Sequence, residues 1–140
     1  MDLTVAFSTD DGKIFNNSHF GMARYFHVYR FHDEGEPEFI EIRENVKYEE
    51  DETIKHGDPG KARATSSALE GVDVMAGRKF GPNIVRLLNK FVCIAVKTEN
   101  ITDAIHLIRS NWITVVKEKE IGADRKHITL REGVKSALDS

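Results

Sequence analysis

Val92-Cys93-Ile94-Ala95-Val96 is apolar at every position and bounded by polar residues, and this run restricts the possible folds more than any other stretch of the chain. An apolar run without alternation describes a strand covered on both faces, which requires elements packed above and below a sheet. Leu3-Thr4-Val5-Ala6-Phe7-Ser8 repeats the signal, being small or apolar on both faces, and stops at the turn cluster Thr9-Asp10-Asp11-Gly12. Two such strands predict an α/β domain. At 140 residues with 40% hydrophobic content, one domain of this kind buries a core without disulfides or metal staples.

Between these runs the pattern changes character twice. Tyr25 to Phe31 is aromatic and β-favouring, then breaks at Asp33-Glu34-Gly35-Glu36-Pro37, so the second and third strands are expected to be antiparallel. In the third, Glu38 to Arg43, Ile40 and Ile42 alternate with Glu41 and Arg43 as in a half-solvated edge strand. Glu44 to His56 is polar, and its acidic run Glu49 to Glu52 reads as a solvated loop. Asp58-Pro59-Gly60 then starts a helix with Ala62, Thr65, Ala68 and Leu69 on one side, closed by Gly71.

Val72 to Ala76 is a fourth strand, and Gly77 to Pro82 turns into a helix in which Ile84, Leu87, Leu88 and Phe91 keep helical spacing. After Val92 to Val96, Asn100 and Asp103 open a third helix that faces Ile101, Ala104, Ile105, Ile108 and Trp112 to the core. Ile113 to Val116 is a candidate for one more short strand. The charged tail beyond it carries Ile128, Leu130, Val134 and Leu138 as docking residues.

Twenty Lys+Arg against 23 Asp+Glu leave a net charge of −3, which advertises neither nucleic acid nor an anionic membrane. The single cysteine, Cys93, lies in a buried strand as a packing residue, and a reduced, cytoplasmic, soluble protein is the natural expectation. Neither a secretory leader nor a membrane helix is expected from the pattern.

The order βββαβαβα implies a mixed sheet with helices packed on it, and if the first strand is central, the third, fourth and fifth run parallel to it. The loops Thr9 to Arg24, Asn45 to Asp58 and Gly77 to Gly81 then meet at one edge, together with the helix N-termini, where open α/β sheets bind ligands and free N–H groups favour anions. His19 and His56 are the candidate metal-ligating residues there, since imidazole suits iron and similar metals. Arg78 and Lys79, between Gly77 and Gly81, offer the positive charge. Taken singly, a loop histidine more often makes ordinary hydrogen bonds, and a surface Arg-Lys pair is more often simply solvated. His27, His32, His106 and His127 receive no functional assignment.

Asp11-Gly12, Ser18-His19-Phe20-Gly21 followed by Ala23 and Tyr25-Phe26, His56-Gly57, Gly71-Val72-Asp73-Val74 and Gly81-Pro82 occur here in an order and spacing that resembles the dinitrogenase iron-molybdenum cofactor biosynthesis family. The likeness runs from about Leu3 to Ile108. It implies a ribonuclease H-like three-layer α/β/α fold, with a five-stranded mixed sheet of order 3-2-1-4-5 and three helices over residues 1–112, and a C-terminal extension over 113–140 without a counterpart. It also implies an anionic iron-sulfur or iron-molybdenum-type cluster, transiently bound, with His19 at the position of the family's histidine. With no cysteine in the loops of that edge, the cluster is expected to be held by histidine, backbone N–H groups and cations. The expected binding set is His19, Phe20, Gly21, His56, Gly57, Gly77, Arg78, Lys79 and Gly81.

Non-catalytic carriage of a metal-sulfur cluster, received from or passed to a cofactor-assembly or acceptor protein, is therefore the first functional expectation. An interaction or regulatory module on the same fold is the second. A magnesium-dependent nuclease using Asp10 and Asp11 is the least favoured, because two-metal chemistry needs further converging carboxylates that this edge does not offer.

Overall fold

A computed structural model describes residues 1–45, 59–132 and 134–138. His56, Gly57, Asp58 and the acidic run Glu49 to Glu52 lie outside the described residues. The strands are β1 (Leu3–Thr9), β2 (Tyr25–Phe31), β3 (Glu38–Glu44), β4 (Val74–Gly77), β5 (Val92–Val96), β6 (Ile128–Arg131) and β7 (Val134–Leu138). Helices are α1 (Pro59–Ala68), α2 (Ile84–Leu87), α3 (Ile101–Ser110) and α4 (Trp112–Ile121), with short 3-10 turns at Phe20–Met22 and Gly122–Asp124.

All the strands join one mixed sheet of order β3-β2-β1-β4-β5-β6-β7. The expected order of the first five is present within it. The strand and helix counts are corrected, because the C-terminal segment adds β6 parallel to β5 and β7 antiparallel to β6. Ile128 and Leu130 are fully buried beside Ile94 and Val96, so this segment continues the same core.

The continuous apolar runs do what two-sided burial demands. From β1, Leu3, Val5 and Phe7 pack with Val74, Ile94, Ala104, Ile108, Trp112 and Val115 on one face, while Ala6 packs with Met75, Cys93, Leu69, Leu87 and Phe91 on the other. Thus α3 and α4 cover one side of the sheet, and α1 and α2 the other. Cys93 is fully buried in the second cluster, and burial pushes its thiol up to about 12, the behaviour of a packing residue.

Ile113 to Val116 belongs to α4 and is not a strand. Trp112 and Val115, one helical turn apart, are buried while Ile113 is 72% exposed, so packing on the sheet overrides a β-branched run. Trp112 anchors this joint by stacking on Phe31, with ring centroids 5.5 Å apart. As expected, Asn100 caps α3, its side chain accepting bonds from the N–H groups of Thr102 and Asp103.

Edge strand β3 carries a second correction. A register shift between Val28 and Tyr29 pairs Ile42 with His27 and Phe39 with Tyr29, leaving Ile40 outside the pairing. Phe39, rather than Ile40, therefore shares a face with Ile42.

Candidate functional site

Parallel pairing of Val5 to Phe7 with Val74 to Ala76, and of Val74 to Gly77 with Val92 to Ala95, sets the carboxyl ends of β1, β4 and β5 side by side. The connection leaving β4 runs through α2 on one face of the sheet, and that leaving β5 runs through α3 on the other. Adjacent strands whose connections part in this way leave a crevice beyond their carboxyl ends, where open α/β sheets take ligands. A cleft of about 540 Å³ opens at these ends, lined by Asn17, Arg78, Lys79, Lys97, Thr98 and Glu99.

Three cations and one carboxylate line this cleft, so its charge is positive although the whole chain is acidic. Lys97 follows the last residue of β5 and reaches back across the strand ends, its ammonium donating to the carbonyl of Arg78 at 3.2 Å. Two neighbouring loops are thereby joined, with the amine in the cleft.

His19 stands beside this cleft on the loop after β1. It is exposed, occupies the N-cap of the Phe20–Met22 turn, and makes no capping bond with its side chain. Its position is set by contact with the Gly77 to Gly81 loop. The Phe20 N–H donates to the Lys79 carbonyl at 2.9 Å. Phe20 itself is buried between Phe26 and Phe80, with centroid separations of 5.0 and 5.1 Å and nearly parallel planes.

This close docking explains two glycines. A Cβ on Gly77 would lie 2.9 Å from Ser8 Oγ and 3.0 Å from Phe20 Cδ1, and one on Gly81 would lie 2.7 Å from His19 Nδ1. The imidazole therefore turns its Nδ1 edge to Gly81, which leaves Nε2 on the far side of the ring. Asn16 and Asn45 hold the loop from beneath, Asn16 donating to the carbonyls of Ser18 and His19 and Asn45 to those of Gly21 and Ala23.

Of the expected residues, His19, Gly21, Gly77, Arg78, Lys79 and Gly81 converge at one edge. Phe20 and Gly77 are buried and support the loops from inside, whereas His19, Arg78 and Lys79 are exposed. His56 and Gly57 lie outside the described residues. The helix N-termini contribute less than expected: α2 has only four residues, and the first N–H groups of α3 already bond Asn100. Side chains, more than helix ends, make this edge attractive to anions.

Lys97, Thr98, Glu99 and Asn17 line the cleft without having been singled out in the sequence. Lys97 carries a readable signal, being the first polar residue after a strand buried on both faces. Asp10 and Asp11 are occupied locally: Asp10 accepts from the Arg24 N–H, and Asp11 from those of Lys13 and Ile14. The Lys13 and Ile14 bonds, in that order, hold the Asp11 carboxyl below the usual range. Among the described residues, no three of His, Cys, Asp and Glu gather into a metal-binding group. Nor, among them, is any helix long and apolar enough to cross a membrane.

A comparison with curated proteins finds no match. The family model described as dinitrogenase iron-molybdenum cofactor matches residues 1–111, from β1 into the joint between α3 and α4, and so takes in His19, Arg78, Lys79 and Lys97. The chain belongs to the dinitrogenase iron-molybdenum cofactor family.

Proposed function

We propose that this protein carries an anionic metal-sulfur cluster, of the iron-sulfur or iron-molybdenum type, as transient cargo during cofactor assembly, without transforming it. The observation that carries the reading is the gathering of Arg78, Lys79 and Lys97 around one cleft beside an exposed imidazole, in a chain of net charge −3. Membership of a family described by the iron-molybdenum cofactor supports this class of cargo.

The chemistry follows from the residues. Guanidinium and ammonium groups attract a polyanion at long range and donate hydrogen bonds to sulfide or oxygen at short range. His19 Nε2 supplies a single coordinate bond to one metal atom, which orients the cluster. One such bond supplemented by electrostatics suits cargo that must be released again to an assembly or acceptor protein in the cytoplasm. Asp10 and Asp11 serve the turn after β1, which favours carriage over metal-dependent hydrolysis.

The test is anaerobic. Wild type and His19→Ala are mixed with isolated iron-molybdenum cofactor or a synthetic [4Fe–4S] cluster, and iron and molybdenum are measured in the protein peak after gel filtration. Metal retained by wild type and largely lost from His19→Ala is the expected result. Equal retention by both would move the site away from His19. Retention by neither would overturn carriage and leave an interaction or regulatory module on the same fold.

A further inference from the structure

The family match stops at residue 111, yet the chain goes on to build β6 directly beside β5. This strand runs parallel to β5 with Ile94, Ala95 and Val96 opposite Ile128, Thr129 and Leu130, and the Lys97 N–H donates to the Leu130 carbonyl at 2.8 Å. One step further along the same register, Arg131 comes level with Lys97 at the carboxyl edge of the sheet. Neighbouring strands are about 4.8 Å apart, well within the reach of an arginine side chain.

The alternation also places the two residues on the same side. Ile128 and Leu130 are buried against the α3 and α4 face, as are Ile94 and Val96, so Arg131 and Lys97 continue the opposite set. Arg131 is exposed, and the nearest acids in sequence on the two strand ends are Glu132 and Glu99. A segment beyond the family-matched region thus brings one more cation level with Lys97, one of the three cations that line the cleft.

We infer that Arg131 is a fourth cation of this anion site and lengthens it from a pocket at β4 and β5 into a trough reaching β6, suited to a multiply charged anion. The identity of that anion as a metal-sulfur cluster rests on the preceding proposal. The positive trough itself does not.

Two probes separate the claims: a synthetic dianionic [4Fe–4S] cluster with thiolate ligands, and inorganic tripolyphosphate, which contains no metal. Binding of each is measured at low and high salt for the full chain and for Arg131→Ala, Arg131→Glu and Arg131→Lys. Arg30→Glu, an equal charge change on β2 near the other end of the sheet, serves as control. Loss of one charge is expected to weaken binding about threefold and reversal about tenfold, with both effects shrinking at high salt. Arg131→Lys retains most of the affinity, and Arg30→Glu is close to wild type. Arg131-dependent binding of tripolyphosphate without any cluster binding would uphold the trough while sinking the cluster reading. Cluster binding indifferent to Arg131, with tripolyphosphate equally indifferent or unbound, would overturn the fourth cation. Failure of wild type to bind either probe would overturn it too.

Discussion

His19 and His32 stand at opposite ends of the sheet, and the structure surrounds them in opposite ways. The His32 ring contacts carboxylates through both nitrogens, Nδ1 to Asp2 at 2.9 Å and Nε2 to Glu38 at 3.0 Å, and these bonds, Asp2 first, raise its pKa. Beside it, Asp33 pairs with the amino-terminal ammonium and accepts from the Trp112 indole, while Arg109 donates to the carbonyls of His32 and Asp33. Positive and negative groups alternate there into a clasp joining the chain start, the β2–β3 hairpin and the start of α4. At the other end Arg78, Lys79 and Lys97 share a cleft with one carboxylate, Glu99. A surplus of like charge lowers stability slightly and favours an opposite charge, so the two ends differ in kind: one balances its charges within the fold and the other carries a local positive excess.

The largest effect expected from disturbing this contrast comes from Phe20→Ala. It removes a ring buried between Phe26 and Phe80, costing about 3–5 kcal/mol in denaturant unfolding and releasing His19 from its loop geometry. A loss well under 1 kcal/mol would show that the aromatic stack does not support the cleft end.

Gly81→Ala comes next. Its Cβ would meet His19 Nδ1 at 2.7 Å, so the exposed imidazole must swing aside, at a stability cost of about 1 kcal/mol or less. Cluster retention should fall while the circular dichroism spectrum stays that of wild type. Unchanged retention would mean that the packing of His19 on Gly81 does not position the ligand nitrogen.

The smallest effect belongs to the clasp. Because the folded pKa of His32 is raised, its ionic contribution is fully present below the unfolded value of about 6.5 and is lost as pH rises through the folded value. The Tm difference between wild type and His32→Gln should therefore be widest in mild acid and should close as the solution becomes alkaline. A difference that instead grows with pH would show that the carboxylates hold the neutral ring.

The two ends also differ in how much of them could be read from the sequence. At the cleft end, the both-face apolar runs identified β1 and β5, and the order of strands and helices brought the loops of His19, Arg78 and Lys79 to one edge. Lys97 is legible as the first polar residue after β5, but its place in the cleft is not, because that depends on which strand lies beside β4. The clasp was not legible at all. Except for His32 and Glu38, its partners are tens of residues apart, and their residue types are those of any solvated surface. Ile113 to Val116 illustrates the same limit, a β-branched run that forms a helix because Trp112 and Val115 find a hydrophobic surface at helical spacing.

By itself the sequence determined that the chain forms an α/β sheet with buried central strands, that His19 and the Gly77 to Gly81 loop share an edge, and that Asn100 starts a helix. Each rests on a local pattern: apolar continuity, turn residues, or a cap within reach of its own backbone. Only the tertiary structure decided that the C-terminal segment extends the sheet, that Lys97 joins Arg78 and Lys79, that Gly81 turns the imidazole, and that Arg131 comes level with Lys97. Those depend on strand neighbours and close contacts between distant residues, where packing energies of several kcal/mol outweigh local preferences that are mostly below about 1 kcal/mol per residue.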